Sequence, residues 1–320
     1  MKKYSLICLI ILFSFLSSNS NKNLAYNGVS FFTNEISLSI PLIDRIQMAS
    51  DDVINWLISY DLSNTYKPYT LTDLEKELFT EYYNLLPEKL RNIMYEKVIC
   101  IFFIEGFEGS GMVIADFDNK EKMFVVSFLN PDLFRYNLTE WLSLRENSVF
   151  DDNSDISIFV EISDEYSALL FALLHEASHV YDYYNQVTPF VEARLQNNKS
   201  PVKTNFTDGV WVNHSQAVSG FDFPYRSELY AWGLGAVLDK TLAMGIYRNL
   251  SKTPFTSIYG SQNWAEDFSE TFTWFYLTNY LNCSYRIIVT DHNSLETFVY
   301  EPLLNLLQND RLSDFKMILR

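Results

Sequence analysis

The segment His175-Glu176-Ala177-Ser178-His179 sets two imidazoles four residues apart, with a carboxylate next to the first. On an α-helix, residues at that spacing lie one turn above each other, so both rings can face one point and hold one Zn²⁺ at ~2.0–2.1 Å. Glu176 falls on the adjacent face, where it suits a general base that takes a proton from a water at the metal without being a ligand itself. Asp182, three residues after His179 on the same stripe, is a candidate to accept an imidazole N–H and fix the ring orientation. A purely structural zinc site has no use for the Glu176 carboxylate and closes its fourth position with Cys or His, so the pattern points to catalysis.

A catalytic zinc site has three protein ligands and an open position for water. The chain has four histidines. A third histidine six residues beyond the second is excluded, because that position is Asn185 and the intervening glycine position is Asp182. His214 and His292 lie in loop-like sequence. Two glutamates remain, each near a helix start: Glu228 in Arg226-Ser227-Glu228-Leu229 and Glu266 in Tyr259-Gly260-Ser261-Gln262-Asn263-Trp264-Ala265-Glu266. Glu266 is the better candidate, with Glu270 one turn further along the same face.

The two blocks His175-Glu176-x-x-His179-x-x-Asp182 and Tyr259-Gly260-x-x-Asn263-x-Ala265-Glu266-x-Phe268-x-Glu270-x-Phe272 resemble the catalytic domain of anthrax lethal factor and related gluzincin-type peptidases. The resemblance implies a zincin-like fold, with a small mixed or antiparallel sheet packed on a buried active-site helix and a second, ligand-bearing helix. It implies that Glu266 is the third zinc ligand. It also implies that Tyr259 turns its hydroxyl into the site, to stabilise an oxyanion or protonate a leaving amine. The spacing from His179 to Glu266 would then contain an insert at about 186–255.

The elements that must position these residues can be read from local pattern. Asp51 to Glu96 reads as helical, clearest from Thr70 to Leu86, where Thr70 or Thr72 can cap, Asp73 and Glu75 sit in the first turn and Pro87 stops the helix. Val98–Ile104, Met112–Phe117 and Met123–Phe128 are apolar β-branched and aromatic runs, separated by Gly106, Gly109, Gly111 and Asp118-Asn119, and suggest an antiparallel meander. Ile156–Ile162 is a fourth strand candidate. Ser163, Asp164 and Glu165 suit a helix start, and Ala168–Leu174 is apolar all round, as in a buried helix. Residues 186–255 read as an irregular excursion around a cleft, interrupted by a helix around Ser227–Met244. A second strong helix spans about Asn263–Tyr280, and Leu295–Ile318 closes the chain as helix. This order gives an α+β class.

Lys2 and Lys3, an apolar run from Leu6 to Leu16 and a small polar stretch to Ser20 have the layout of a secretory signal over residues 1–20. The apolar run is short of the ~20 residues needed to span a bilayer, so no stable membrane span is expected once it is removed. Residues 21–97 are then an N-terminal helical region, either prosegment or subdomain, and 98–320 the zincin-like catalytic domain. The net charge of -16 argues against nucleic acid as a partner. The 21 Tyr and 25 Phe sit in a composition also rich in Asn, Ile and Lys, which reads as coding bias rather than an aromatic binding surface. Cys100 and Cys283 allow one disulfide but no disulfide scaffold. The expectation is a secreted or cell-envelope zinc metalloendopeptidase acting on peptide or protein substrates. The alternative is a catalytically inactive zinc-binding or surface-binding protein on a peptidase fold.

Overall fold

The computed structural model describes residues 38–61, 65–117, 123–153, 155–162, 165–190, 203–233, 237–303 and 311–319. The leader at 1–20, the capping positions Ser163 and Asp164 and the turn at Asp118-Asn119 lie outside them. The chain forms two compact units, Met1–Asp132 with Phe190–Ser200 and Leu133–Pro189 with Pro201–Arg320. Strands 98–129 thus belong with the N-terminal helices, and the unit with the His-Glu pair starts only at Leu133. Each unit mixes helices with an open sheet, an α+β arrangement.

In the first unit the elements run β1 (Ile46–Gln47), α1 (Asp51–Asp61), β2 (Lys67–Tyr69), α2 (Asp73–Leu85), α3 (Glu88–Lys97), β3 (Val98–Glu105), β4 (Gly111–Phe117) and β5 (Met123–Leu129). Thr72 caps α2 through a reciprocal box: its hydroxyl accepts the Glu75 N–H and the Glu75 carboxylate accepts the Thr72 N–H at 2.7 Å. The strands do not form a meander. β5 lies between β3 and β4, parallel to β3 and antiparallel to β4, while β1 and β2 pair with β3. The physical sign was in β3 itself. A run of seven buried residues, Val98–Ile104, is apolar on both faces, which is the pattern of a central strand in parallel pairing rather than of a one-sided hairpin.

The second unit runs α4 (Leu138–Asn147), β6 (Ile156–Glu161), α5 (Ala168–Asn185), α6 (Ala243–Leu250), α7 (Trp264–Tyr280), β7 (Arg286–Asp291), β8 (Glu296–Tyr300) and α8 (Leu312–Leu319). The fourth strand candidate does not extend the first sheet. β6 pairs antiparallel with β7, and β7 with β8. Leu295–Ile318 is therefore not one helix: its start is strand β8, after Leu295 at φ +58°. Arg286-Ile287-Ile288-Val289-Thr290 and Thr297-Phe298-Val299-Tyr300 carry the β-branched and aromatic signal of strands, joined by a turn at Asn293-Ser294. The helix expected around Ser227–Met244 is instead three 3₁₀ turns followed by α6; Trp232, at φ 62°, breaks the helical path within that span. Among the described residues no helix is long and apolar enough to cross a membrane. Cys100 and Cys283 are free, buried thiols.

Candidate metal centre

Helix α5 is buried from Ala168 through Ala177, which fixes its rotation and brings its polar residues to one interior locus. Its lower turns carry His175, Glu176 and His179, and it ends at Gln186 in the left-handed region at φ 50°. α7 packs against it, with Phe171 against Trp274 at 5.2 Å between ring centroids. Asn263 caps α7, its Oδ1 accepting the N–H groups of Ala265 and Glu266, both at 3.0 Å. This places Glu266 in the first helical turn, where the aligned peptide dipoles favour a carboxylate.

Three ligand atoms converge there. His175 Nε2 lies 3.1 Å from His179 Nε2 and 3.1 Å from Glu266 Oε2, and His179 Nε2 lies 3.4 Å from Glu266 Oε2. A tetrahedral ion with ligands at ~2.0–2.1 Å needs neighbouring ligand atoms about 3.3–3.4 Å apart, so this triangle is one face of such a tetrahedron to within about 0.3 Å. Two His and one Glu are a donor set that could hold a divalent metal ion, and Zn²⁺ is among the ions that such ligands suit. Glu228 takes no part: it is exposed on the 3₁₀ turn Arg226–Glu228. His292 is exposed, with its Nε2 3.1 Å from Ser157 Oγ.

The field at this point calls for positive charge. Burial by itself lowers the His175 pKa, yet the facing carboxylates of Glu266 and Glu270, with the charge of Glu176, outweigh it and hold the imidazole up at about 10. Burial likewise raises Glu266, and the two histidines more than reverse it, leaving this carboxyl far below the usual range. Whatever draws a proton so strongly also draws a dication. Glu176 is buried and shifted the other way. Burial raises its pKa and Glu266 adds to that, against the opposing His175 and His179. Tyr259, on the 3₁₀ turn Tyr259–Ser261, is raised well above the ordinary phenol value by burial and then by Glu266, Glu176 and Glu270. Its ring lies 6.0 Å from that of His175.

Behind the ligands stands Glu270, fully buried, with Oε1 3.4 Å from His175 Nδ1. Burial would raise its pKa, but Arg145 and His175 bring it down to about 2. Gly260 passes so close that an added Cβ would stand 3.2 Å from Glu270 Cβ, and its N–H donates to Ser257 Oγ at 2.8 Å, which itself donates to Glu270 Oε2 at 2.7 Å. Asp182 is also buried, and accepts from the Thr188 N–H (2.6 Å) and hydroxyl (2.5 Å), which ties down the chain leaving α5.

Several residues here carry no sequence signature. Arg145, Glu146, Tyr247 and Ser257 meet the site from remote parts of the chain. His214 lies in loop-like sequence, yet its carbonyl accepts the Trp264 N–H at 3.1 Å, and Glu266 acts on its imidazole, which burial pushes down to about 4. The stretch 203–229 is tied to the ligand-bearing segment: Arg226 Nη1 donates to Ser261 O at 2.7 Å, Gln262 Nε2 to Leu229 O at 2.5 Å and Trp211 Nε1 to Asp267 Oδ2 at 2.8 Å. The clamp uses backbone carbonyls and single side chains up to 56 positions apart, so no local motif marks it. A scan of protein-family models gives no match, and searches of curated proteins and of solved structures likewise find none.

Proposed function

We propose that the chain is a secreted zinc metalloendopeptidase of gluzincin type on a zincin-like fold, with His175, His179 and Glu266 as zinc ligands and Glu176 as general base. The observation that carries the reading is the triangle of His175 Nε2, His179 Nε2 and Glu266 Oε2, with edges of 3.1–3.4 Å, beside a buried carboxyl of raised pKa. The leader-like residues 1–20 support export, and the net charge of -16 supports a peptide or protein rather than a nucleic acid as substrate.

A Zn²⁺ ion held by His175, His179 and Glu266 would supply Lewis acidity, able to polarise a scissile carbonyl and to lower the pKa of a bound water. Glu176 accepts the proton of the attacking water and passes it to the leaving nitrogen. Burial raises its pKa, which makes this carboxylate a better proton acceptor than an exposed one. Tyr259 keeps its phenol proton and can donate it as a hydrogen bond to the oxygen on which negative charge develops. Glu270 offers an acceptor to the outer nitrogen of His175.

The test is metal analysis of the purified protein combined with digestion of a broad peptide library. About one zinc per chain together with cleavage that a chelator abolishes is the expected result. Zinc without cleavage moves the chain to the alternative of a zinc-binding protein without peptidase activity.

A further inference from the structure

The grip on Glu270 comes from a third helix. Arg145, on α4, lays its guanidinium fork across both carboxylate oxygens, Nη1 to Oε1 at 2.7 Å and Nη2 to Oε2 at 3.0 Å. Trp274 Nε1 donates to the same Oε2 at 3.1 Å. Arg145 also meets Glu146 Oε1 at 3.3 Å, and Glu146 Oε2 accepts the Tyr247 hydroxyl at 2.5 Å. A buried chain thus runs Tyr247, Glu146, Arg145, Glu270, His175, joining α6, α4, α7 and α5. At its inner end His175 Nδ1 is buried and makes no hydrogen bond of good geometry, although Glu270 Oε1 stands 3.4 Å away. If Nε2 of that ring holds a metal, the ring proton must sit on Nδ1, and a buried N–H needs an acceptor.

We propose that Arg145 is a positioning residue for the metal centre, its two-pronged hold on Glu270 aiming Oε1 at His175 Nδ1 and thereby setting metal affinity. This rests on the metal reading of His175, His179 and Glu266, not on peptidase activity. The competing account makes Arg145 a plain counter-charge among Glu146, Glu176, Glu266 and Glu270. The two accounts differ in sign. A counter-charge beside a cation site weakens the cation, so its removal tightens zinc; a positioning residue loosens zinc when it is removed.

The experiment is zinc affinity, by competition with a chromogenic chelator, for the full chain carrying Arg145→Met, Arg145→Lys or Ser257→Ala. The visible spectrum of the Co²⁺-substituted forms serves as a second readout. Arg145→Met should weaken zinc by ~10–100-fold, and Arg145→Lys, which keeps the charge but not the fork, should recover only part of that. Ser257→Ala removes one Glu270 donor without altering any charge, and should weaken zinc by up to about 10-fold even if the Arg145 variants fold poorly. Altered cobalt bands in each variant that folds support a reoriented histidine. Unchanged or tighter zinc in Arg145→Met, full recovery in Arg145→Lys, or an unaltered Ser257→Ala overturns the proposal. A wild-type chain that binds no zinc overturns it together with the metal reading itself.

Discussion

Both units bury arginines, and Arg45 of the first and Arg145 of the second are used in opposite ways. Arg45, fully buried in the first unit, donates to the carbonyls of Leu38, Ile40, Tyr95 and Val98 at 2.6–3.2 Å. Burial lowers its pKa, with Tyr95 and Tyr83 opposing. It ties backbone to backbone near an otherwise apolar core that includes Leu57, Cys100, Ile104 and Phe128. In the second unit Arg145 is held by carboxylates, Glu146 beside it on α4 and Glu270 on α7, and Glu270 in turn faces His175 on α5. A buried ion pair is weak support for stability, since its desolvation offsets its attraction. Such a cluster is better explained by what it holds in place. The contrast separates an interior built for folding from one built for chemistry, and substitutions in each should divide along the same line.

The largest effect is expected at Glu266. Glu266→Ala should lose most bound zinc and all hydrolysis, whereas Glu228→Ala, on an exposed turn, should leave zinc content as it is. Zinc analysis of both variants reads this directly, and retention of zinc by Glu266→Ala would remove the third ligand from the scheme. Next comes Glu176→Gln, which keeps shape and zinc but loses the base, and should lower kcat by ~10²–10⁴-fold. Near-normal turnover in this variant, measured on any peptide that the wild type cleaves, would place the proton transfer elsewhere.

That these residues could be named at all reflects where the information lies. The His-x-x-x-His spacing, the Thr72 box and the Asn263 cap are local, with partners two to four residues apart. The sheets are different. β3 pairs with β5, passing over the intervening strand β4, and β6 finds its partner about 130 residues later in β7, so neither order follows from the spacing of apolar runs. Arg145 and Glu270 are 125 positions apart. Their sequence context looks like ordinary helix charge, and only the packing of α4 and α7 removes both from water.

Two further substitutions sharpen the contrast at intermediate size. Tyr259→Phe should lower kcat, by an amount equivalent to the ~2.7–4 kcal/mol seen for removal of an oxyanion donor, with KM and zinc content little changed. A rise in KM alone would make Tyr259 a substrate contact. Arg45→Met, which leaves several buried carbonyls without a donor, should cost about 3 kcal/mol of stability, at the upper end for an unsatisfied buried group. Its zinc affinity, measured in the folded protein, should equal that of the wild type. A large drop in zinc affinity would mean that the buried arginine of the apolar unit also serves the metal centre, and the division drawn above would fail.

The smallest effect is expected at Asp182, the one residue of the helical stripe with two candidate duties. Its place on α5 suits it to orient a zinc histidine, a role worth about tenfold in metal affinity at the lower end of such effects. Its carboxylate also receives the Thr188 N–H and hydroxyl, and that contact anchors the chain where α5 ends. Asp182→Ala removes both at once, so alone it cannot tell them apart. Thr188→Val can, because it deletes the hydroxyl while leaving the Asp182 carboxylate and the backbone N–H in place. If Asp182 serves the metal, Asp182→Ala should weaken zinc by about tenfold, while Thr188→Val should cost only about 1 kcal/mol of thermal stability, the size of one hydrogen bond, with zinc unaltered. Equal zinc affinity in wild type and Asp182→Ala would confine Asp182 to the turn and leave the Glu270 carboxylate as the acid that serves His175 from behind.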